Sequence, residues 1–430
     1  MKEILKGGAY RLLYMAFNFA IGLLIAYLAG TELFGIISLM IVNASIFHII
    51  SGLGTDSSIV WHGAKKSTGI NQLMTFTLTT ASFQILVFII ISLLWYFTSG
   101  KTMLTGSAEL RYFLLELVYF TGLVWLEKYI SVLYANQMSV ICNRIITIII
   151  VILFLILLPF YFAVDSSPID PLIFFCFLPI VQTIPLVIFF HKSVSWQFTS
   201  LAKLNLHSLI SFSLIVFITN TIQFLAYRID YWLILHYNNV SEVGIYAQAN
   251  RFAQLLWVIP NIMAALIIPA IAAPGSQFKN MEFSTLVRGI IYGSIVIALG
   301  VGLMSYLIYM YFLPLEYYKG FQALVIMMPG FYFFTLTILI AAWFSAQRML
   351  WINFWGSLIC LVVIFITDLI FIPSFGINGA AIGNLIGYTI SALFSIFMLS
   401  KLSSFKLHEL LIVHSDDFKR FIKMKLKNAN

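Results

Sequence analysis

Charge is scarce in this chain. Only 9% of its 430 residues are Asp, Glu, Lys or Arg, while 61% are hydrophobic and the mean hydropathy is +1.00. A typical soluble domain is about a quarter charged, so a solvated globular enzyme is excluded. Cysteine is almost absent as well. Cys142, Cys176 and Cys360 stand far apart without C-x-x-C spacing, which argues against a disulfide framework or zinc site and for buried structural thiols. No G-x-x-x-x-G-K-[ST] stretch occurs, so the chain powers nothing with an ATPase loop of its own. No H-E-x-x-H or other ligand cluster appears among the seven histidines. Asp416–Asp417 is the only acidic doublet, too little for a nucleotide-sugar metal site. No cofactor is expected.

What the chain has is long apolar runs. A bilayer is spanned by roughly 20 apolar residues, and spans fall near residues 9–29, 34–53, 72–97, 112–135, 145–163, 171–190, 209–235, 243–272, 285–312, 321–346, 350–371 and 377–400. The first follows Lys2, Lys6 and Arg11 but is too long for a cleaved signal peptide, so it is read as a retained helix. Lys and Arg in loops set orientation. Of the 24, eighteen fall in the loops, helix feet and tail on the side of the termini, and Lys101, Arg111 and Lys319 on the other. Lys128, Arg228 and Arg251 are left within spans. Both termini are therefore expected in the cytoplasm, and the net charge of +8 describes topology and anionic lipid, not nucleic acid. After Ser400, basic residues alternate with Leu407, Leu410, Leu411, Phe418, Phe421 and Ile422, the pattern of an amphipathic surface helix.

The chain also repeats itself. LAGTELFGIIS (28–38) resembles NVSEVGIYA (239–247), pairing Glu32 with Glu242 and Gly35 with Gly244. YANQMSVICN (134–143) resembles FSAQRMLWIN (344–353), pairing Gln137 with Gln347 and Asn143 with Asn353. The offsets, 209 to 210, are close to half the chain. An even number of spans lies between the copies, so the repeat is parallel. The expected fold is an all-α membrane protein of about twelve transmembrane helices in two six-helix lobes. The expected division is an N-terminal lobe (1–200), a C-terminal lobe (201–400) and a basic cytoplasmic tail (401–430).

GTELFGIISL, RIDYWLILHYNNVSEVGIYAQANRF with its following prolines, LPLEYYKGFQALVIMMPG and IPSFGINGAAIGNLIGY occur in this order. Together they resemble the polysaccharide and O-antigen flippases of the Wzx type, in the superfamily that also holds the multidrug-and-toxin extruders. The resemblance implies a MATE-like fold around a cavity lined chiefly by helices one, two, seven and eight. It implies a flippase that carries undecaprenyl-diphosphate-linked oligosaccharide, an O-antigen or related repeat unit, across the bacterial inner membrane by alternating access. It further implies coupling to H+ or Na+ and association with polysaccharide polymerase and chain-length machinery.

Charges inside spans cost at least a few kcal/mol and so face protein or water. Counted from the hairpin at Asn239, Arg228 and Arg251 are nearly level along their helices, and two guanidinium groups at one depth suit a diphosphate or anionic sugar. The alternatives are snorkelling of Arg228 to headgroups and a structural Asp230–Arg251 pair. Asp230 points some 200° away from Arg228 around the helix and reads as a structural partner. Glu116 and Glu127 share one helix face roughly 16 Å apart, where carboxylates suit ion coupling. Lys128 points elsewhere, and a local pair of Glu127 with a neighbouring cation is the plainer alternative. The repeat partners of Arg228, Asp230 and Arg251 are Phe19, Ile21 and Val42, so the scaffold is duplicated and its charge is not. A cation extruder, a membrane glycan polymerase or ligase, and a structural scaffold are the competing readings. Two arginines against one aspartate disfavour the first, short outer connections the second, and asymmetric buried charge the third.

Overall fold

Glycine decides where the first helix turns. The computed structural model describes residues 2–65, 68–162, 169–200, 206–272 and 280–403. Within α1 (Lys2–Gly52), Gly30 takes φ 68° and ψ −179° and splits the helix into two arms, a conformation that costs glycine little. The two expected spans at 9–29 and 34–53 are those arms, and one residue does the work expected of a four-residue loop. The second arm is then broken at Leu53 (φ 46°) and Gly54 (φ 73°) and resumes as α2 (Thr55–Ala64). A Cβ on Gly54 would stand 2.4 Å from the Ser213 carbonyl oxygen, so only glycine fits there. Next come α3 (Ile70–Ser99), α4 (Leu110–Ala135), α5 (Ser139–Phe162) and α6 (Pro171–Ser193).

The second half repeats the order. It holds α7 (Leu206–Tyr237), α8 (Val240–Gln254), α9 (Val258–Ala272), α10 (Asn280–Tyr311), α11 (Tyr318–Ala346), α12 (Leu350–Phe375) and α13 (Ile377–Leu402). The α7–α8 turn is shorter than expected. Asn239 caps α8 by accepting from the Glu242 N–H at 2.9 Å. Between α8 and α9 a 3-10 turn at Leu255–Trp257 interrupts the expected eighth span. Pro260 explains its place, because a proline ring clashes with the carbonyl four residues earlier, here Leu256. Pro269 sits inside α9 without a break.

The fold is all-α, with twelve helical passes when the α1 arms are counted separately and α2 and α9 are taken with the helices they extend. Among the described residues, eight helices are long and apolar enough to cross a membrane, the first, Lys6–Gly52, covering both α1 arms. The chain is a multi-pass membrane protein. It divides into two compact units, residues 2–221 and residues 222 onward, with α7 running across the boundary.

The turns expose the duplication and correct its register. Between α4 and α5 the N–H groups of Asn136, Gln137 and Met138 donate to the carbonyls of Val132, Tyr134 and Leu133 at 3.1, 3.0 and 2.9 Å. Between α11 and α12 those of Gln347, Arg348 and Met349 donate to Trp343, Ser345 and Phe344 at 3.1, 3.1 and 2.8 Å. Gln137 and Arg348 are the left-handed residues, at φ 61° and 60°, the signature of a helix C-cap. The backbone therefore pairs Gln137 with Arg348, an offset of 211, and the Gln137–Gln347 pairing is one residue out.

Packing is duplicated too. A Cβ on Gly122 of α4 would lie 2.9 Å from the Ile180 nitrogen of α6, and one on Gly330 of α11 would lie 2.6 Å from Leu385 Cα of α13. Small residues let helix backbones approach where lipid supplies no hydrophobic drive between them. Glycines do the same for α13 on α12: a Cβ on Gly379 or Gly387 would meet Phe371 O at 2.4 Å or Ile364 Cγ1 at 2.3 Å. The first unit's core gathers Met74, Phe76, Leu126, Val132, Ile146, Leu186 and Phe190. The second's gathers Ile267, Val287, Leu339, Ile340, Phe344, Ile352 and Leu399. The expected amphipathic tail lies outside the described residues from 404 onward.

Candidate functional site

Each unit holds a polar cluster built from residues of several helices. In the second unit α7 brings Arg228, Asp230 and Tyr231 to one level. Arg228 Nη1 donates to the Tyr231 hydroxyl at 2.8 Å, and its guanidinium carbon lies 5.1 Å from the centre of that ring. The contact combines a hydrogen bond with cation–π attraction. Arg228 is half-buried and makes no ion pair with any described acid. Arg251, on α8, is also half-buried and lies within electrostatic range of both Tyr231 and Arg228. Tyr231 thus contacts Arg228 and lies within electrostatic range of Arg251.

Asp230 points the other way, as the helix geometry requires. It is 1% exposed and pairs with neither arginine. Its Oδ1 accepts from the Tyr231 N–H at 2.9 Å, and its Oδ2 accepts from the Tyr246 hydroxyl and from Asn384 Nδ2, the latter at 3.2 Å. Asn384 Nδ2 also approaches the Tyr246 oxygen at 2.5 Å. The Asp230–Arg251 pair weighed from the sequence does not form, because a neutral hydroxyl and an amide already fill the carboxylate.

Beside this group lies Asp368 of α12, which the sequence left unplaced. It is fully buried, and neither of its carboxylate oxygens has a hydrogen-bond partner. A Cβ on Gly383 of α13 would stand 2.0 Å from Asp368 Oδ1, so glycine at 383 makes room for the acid, one residue before Asn384. Asp230 and Asp368 are close enough to interact as like charges. Asn384 Oδ1 is also unpartnered. A buried acid with both oxygens unused, beside an unpartnered amide oxygen and a second buried acid, makes a site suited to a small cation.

In the first unit the expected charges separate into three roles. Glu116 is 1% exposed and accepts from the N–H groups of Leu104 and Thr105 at 3.1 and 2.7 Å and from the Thr105 hydroxyl at 2.8 Å. It ties the α3–α4 connection to α4. Lys128 is 0% exposed, lies 2.8 Å from Asp56 Oδ1 and donates to Thr55 Oγ1 at 2.7 Å. Glu127 is half-buried, without an ion pair among the described residues, within electrostatic range of His48, Asp56, Arg11 and Lys128. His48 Nε2 meets Asp56 Oδ2 at 3.0 Å.

His48, Asp56, Tyr246, Asn384 and Asp368 are the members sequence reasoning missed or could not place. His48 and Asp56 flank G-L-G, a signal readable as a helix break with polar residues to either side. Nothing local marks Asn384, whose role depends on a partner 154 residues away.

No protein-family model matches the chain, and no curated protein matches it by sequence. Solved structures do match its fold. A lipid II flippase, MurJ, in an inward closed conformation superposes with a TM-score of 0.73 at 16% identity, covering 98% of this chain and 92% of that one. An inward-facing multidrug resistance MATE family transporter of the MOP superfamily gives 0.61 at 14%, covering 91% and 95%. A MOP superfamily transporter from Pyrococcus furiosus gives 0.62 at 15%, covering 93% and 95%. The chain has the fold these proteins share.

Proposed function

We propose that this protein is a transporter, not an enzyme, and that it flips an undecaprenyl-diphosphate-linked oligosaccharide, an O-antigen or related repeat unit, to the outer leaflet of the bacterial inner membrane by alternating access. The observation that carries this reading is Arg228: a half-buried guanidinium in a membrane fold, hydrogen-bonded to a tyrosine and in ion-pair contact with no described acid. A guanidinium keeps paired donors for phosphate oxygens, and a diphosphate is the group of the cargo that must be drawn out of the headgroup layer. Arg251 beside the same tyrosine adds a second cation. The fold likeness to a flippase named for lipid II supports a lipid-linked cargo.

Coupling in this reading belongs to the acids of the second unit. A proton or Na+ that neutralises Asp230 and Asp368 ties ion binding to the packing of α7, α8, α12 and α13, because Asp230 is bonded to Tyr246 and Asn384 and Asp368 packs against Gly383, the residue before Asn384. Glu127 is the corresponding candidate in the first unit. The competing reading, a cation or drug antiporter, is favoured by the same acid pair and by the MATE neighbours. Reconstitution into vesicles with a fluorescent lipid-linked oligosaccharide decides between them. Leaflet transfer that needs a proton or sodium gradient, falls at least about tenfold in Arg228→Ala and partly returns in Arg228→Lys supports the flippase. Efflux of a cationic dye without lipid movement, or full transfer by Arg228→Ala, overturns it.

A further inference from the structure

A polar stripe runs along α7 through the middle of a membrane span. Asn220 and Gln223 stand at the centre of the expected 209–235 span, and Tyr227 lies one turn further toward the hairpin. At 100° per residue the three fall within about 60° of one another, over roughly 10 Å of helix. Asn220 and Gln223 are exposed, and Tyr227 is half-buried. An amide finds no partner in hydrocarbon, so one inside a span belongs against protein or water. The fold does not cover these two with protein, which leaves water. Ile218, about 160° around the helix from Asn220, is 50% exposed and marks the hydrocarbon side.

The open donors and acceptors of the stripe suit a sugar. Gln223 Nε2 donates to the Tyr227 hydroxyl oxygen at 2.8 Å, so the Tyr227 O–H is left to donate and Gln223 Oε1 to accept. No described residue takes up the Asn220 amide. Tyr227 is held in place, its ring centre 5.3 Å from that of Trp257, 5.8 Å from Phe334 and 6.3 Å from Tyr388. Trp257 is fixed in turn by donating to the Phe331 carbonyl at 3.0 Å. On α8, Gln254 follows Arg251 by one turn and is nearly level with Gln223, counted from Asn239. It is half-buried and donates through Nε2 to Asn250 Oδ1 at 2.7 Å, which leaves its oxygen to accept. Neutral groups that offer both donor and acceptor fit sugar hydroxyls, which are both at once. A cation would call for acids and a phosphate for donors alone, and Arg228 and Arg251, nearer the hairpin, already supply the latter.

The first unit repeats the stripe. In this stretch the backbone sets an offset of 209, since α1 resumes at Thr31 after Gly30 and α8 begins at Val240 after Asn239. Asn220, Gln223 and Tyr227 then answer to Arg11, Tyr14 and Asn18. Arg11 and Tyr14 are half-buried and Asn18 is exposed. The Arg11 guanidinium carbon lies 5.6 Å from the centre of the Tyr14 ring, and the Tyr14 hydroxyl donates to Gln182 Oε1 at 3.4 Å. In the same alignment Arg228, Asp230 and Arg251 answer to apolar residues. The polar stripe is kept in both copies, and those three charges are not.

We propose that Asn220, Gln223 and Tyr227, with Gln254, form a neutral-sugar subsite that selects the glycan attached to the diphosphate held by Arg228 and Arg251. The amides and the phenol bond the sugar hydroxyls, and their spacing along α7 sets how much of the glycan is read. The identity of the ligand rests on the flippase reading; the exposure of the stripe to water does not.

Two measurements on the full chain in nanodiscs separate these claims. In the first, single cysteines are introduced as Asn220→Cys, Gln223→Cys and Ile218→Cys, against a background of native thiols that are all buried, and treated with a water-soluble maleimide. The reagent takes the hydrated thiolate, so the first two are expected to react at least about tenfold faster than the third. Equal rates at the three positions overturn the subsite whatever the cargo proves to be. In the second, affinity is measured for undecaprenyl diphosphate and for the same lipid bearing a neutral mono- or disaccharide, over a panel of hexoses and N-acetylhexosamines. Wild type is expected to favour at least one sugar-bearing lipid by about tenfold. Gln223→Leu and Asn220→Leu, both at exposed positions, lose most of that preference, whereas Arg228→Ala weakens both lipids alike. A wild type that prefers no sugar, or a preference that survives both leucine variants, overturns the subsite and leaves the diphosphate reading standing. A wild type that binds neither lipid overturns the flippase reading and the sugar assignment with it.

Discussion

Removing Lys128 is the sharpest test of how the first unit is held together. Its ammonium is 0% exposed and 2.8 Å from Asp56, whose side chain is 27% exposed. At an effective dielectric of about 20, the attraction at that distance is roughly 6 kcal/mol before desolvation. Desolvating an ammonium cancels much of this, so the pair is worth less than its Coulomb energy, yet breaking it from one side costs about 3–5 kcal/mol. The structure ranks the single variants. Lys128→Met leaves an Asp56 that still has His48 and partial access to water, and falls near the low end. Asp56→Ala leaves an ammonium with only the Thr55 hydroxyl and no solvent, and falls near the high end. Asp56→Asn keeps an oxygen toward Lys128 and lies between wild type and alanine. In the double variant Lys128→Met/Asp56→Ala neither charge is stranded, so its cost is below the sum of the singles by at least about 2 kcal/mol. Read as thermal unfolding of purified protein in detergent, 3 kcal/mol is a fall of about 3–7 °C for a cooperative unit of between half and all of the chain. Additive single and double variants, or a Lys128→Met protein as stable as wild type, would refute this pairing.

Three further expectations come from the same packing. Gly387→Leu puts a side chain where even a Cβ would be 2.3 Å from Ile364, so α12 and α13 must separate. The cost is about 1–3 kcal/mol or more, and Gly293→Leu, where a Cβ meets nothing within 4 Å, is the tolerated control in the same melting assay. Glu116→Gln loses charge-assisted acceptance from Leu104 and Thr105. It destabilises the α3–α4 connection by about 1.5–3 kcal/mol, seen as faster limited proteolysis between residues 100 and 109 while transfer in vesicles is largely kept. Tyr246→Phe removes the hydroxyl that joins Asp230 to Asn384. Ion-driven transfer is expected to fall at least about fivefold while passive leaflet exchange is unchanged; equal loss of both would assign Tyr246 to structure alone.

The fold was legible because hydrocarbon allows few solutions: apolar runs of about 20 residues become helices. Its local breaks were less so. The eighth span was read as continuous, although Pro260 implies a break at the carbonyl four residues earlier, where the 3-10 turn at Leu255–Trp257 lies. The second span was ended at Leu53, where the helix does break, but its continuation as Thr55–Ala64 was not anticipated. The repeat was found from identities such as Gln137 and Gln347, but the backbone aligns left-handed positions instead. In the site, Arg228 and Asp230 could be separated by helix angle alone. That Asp230 bonds Tyr246 was not readable, because the choice between a hydroxyl and a guanidinium depends on how α8 is turned. Asp368 carried no local signal, only the cost of its burial.

Once the turns fix the register at 211, the charges can be set against their partners in the other copy. Lys128 stands eight residues before Asn136, and Leu339 stands eight before Gln347. Both are 0% exposed. Asp368 is the nineteenth residue of α12, and the nineteenth of α5 is Leu157; both again are 0% exposed. At two matched positions one unit buries a charge where the other buries leucine, and the exchange runs in opposite directions. Leucine satisfies the packing at each place, so the fold does not require the charge. A buried ammonium or carboxylate costs several kcal/mol relative to an apolar side chain of that size, and a scaffold already tolerating leucine gains no stability from it. Packing therefore does not account for either charge. In the first unit, Lys128 ties α4 to Asp56 and Thr55 of α2. In the second, Asp368 keeps both oxygens without a hydrogen-bond partner. At these two matched positions the duplicated halves differ in buried charge and not in scaffold.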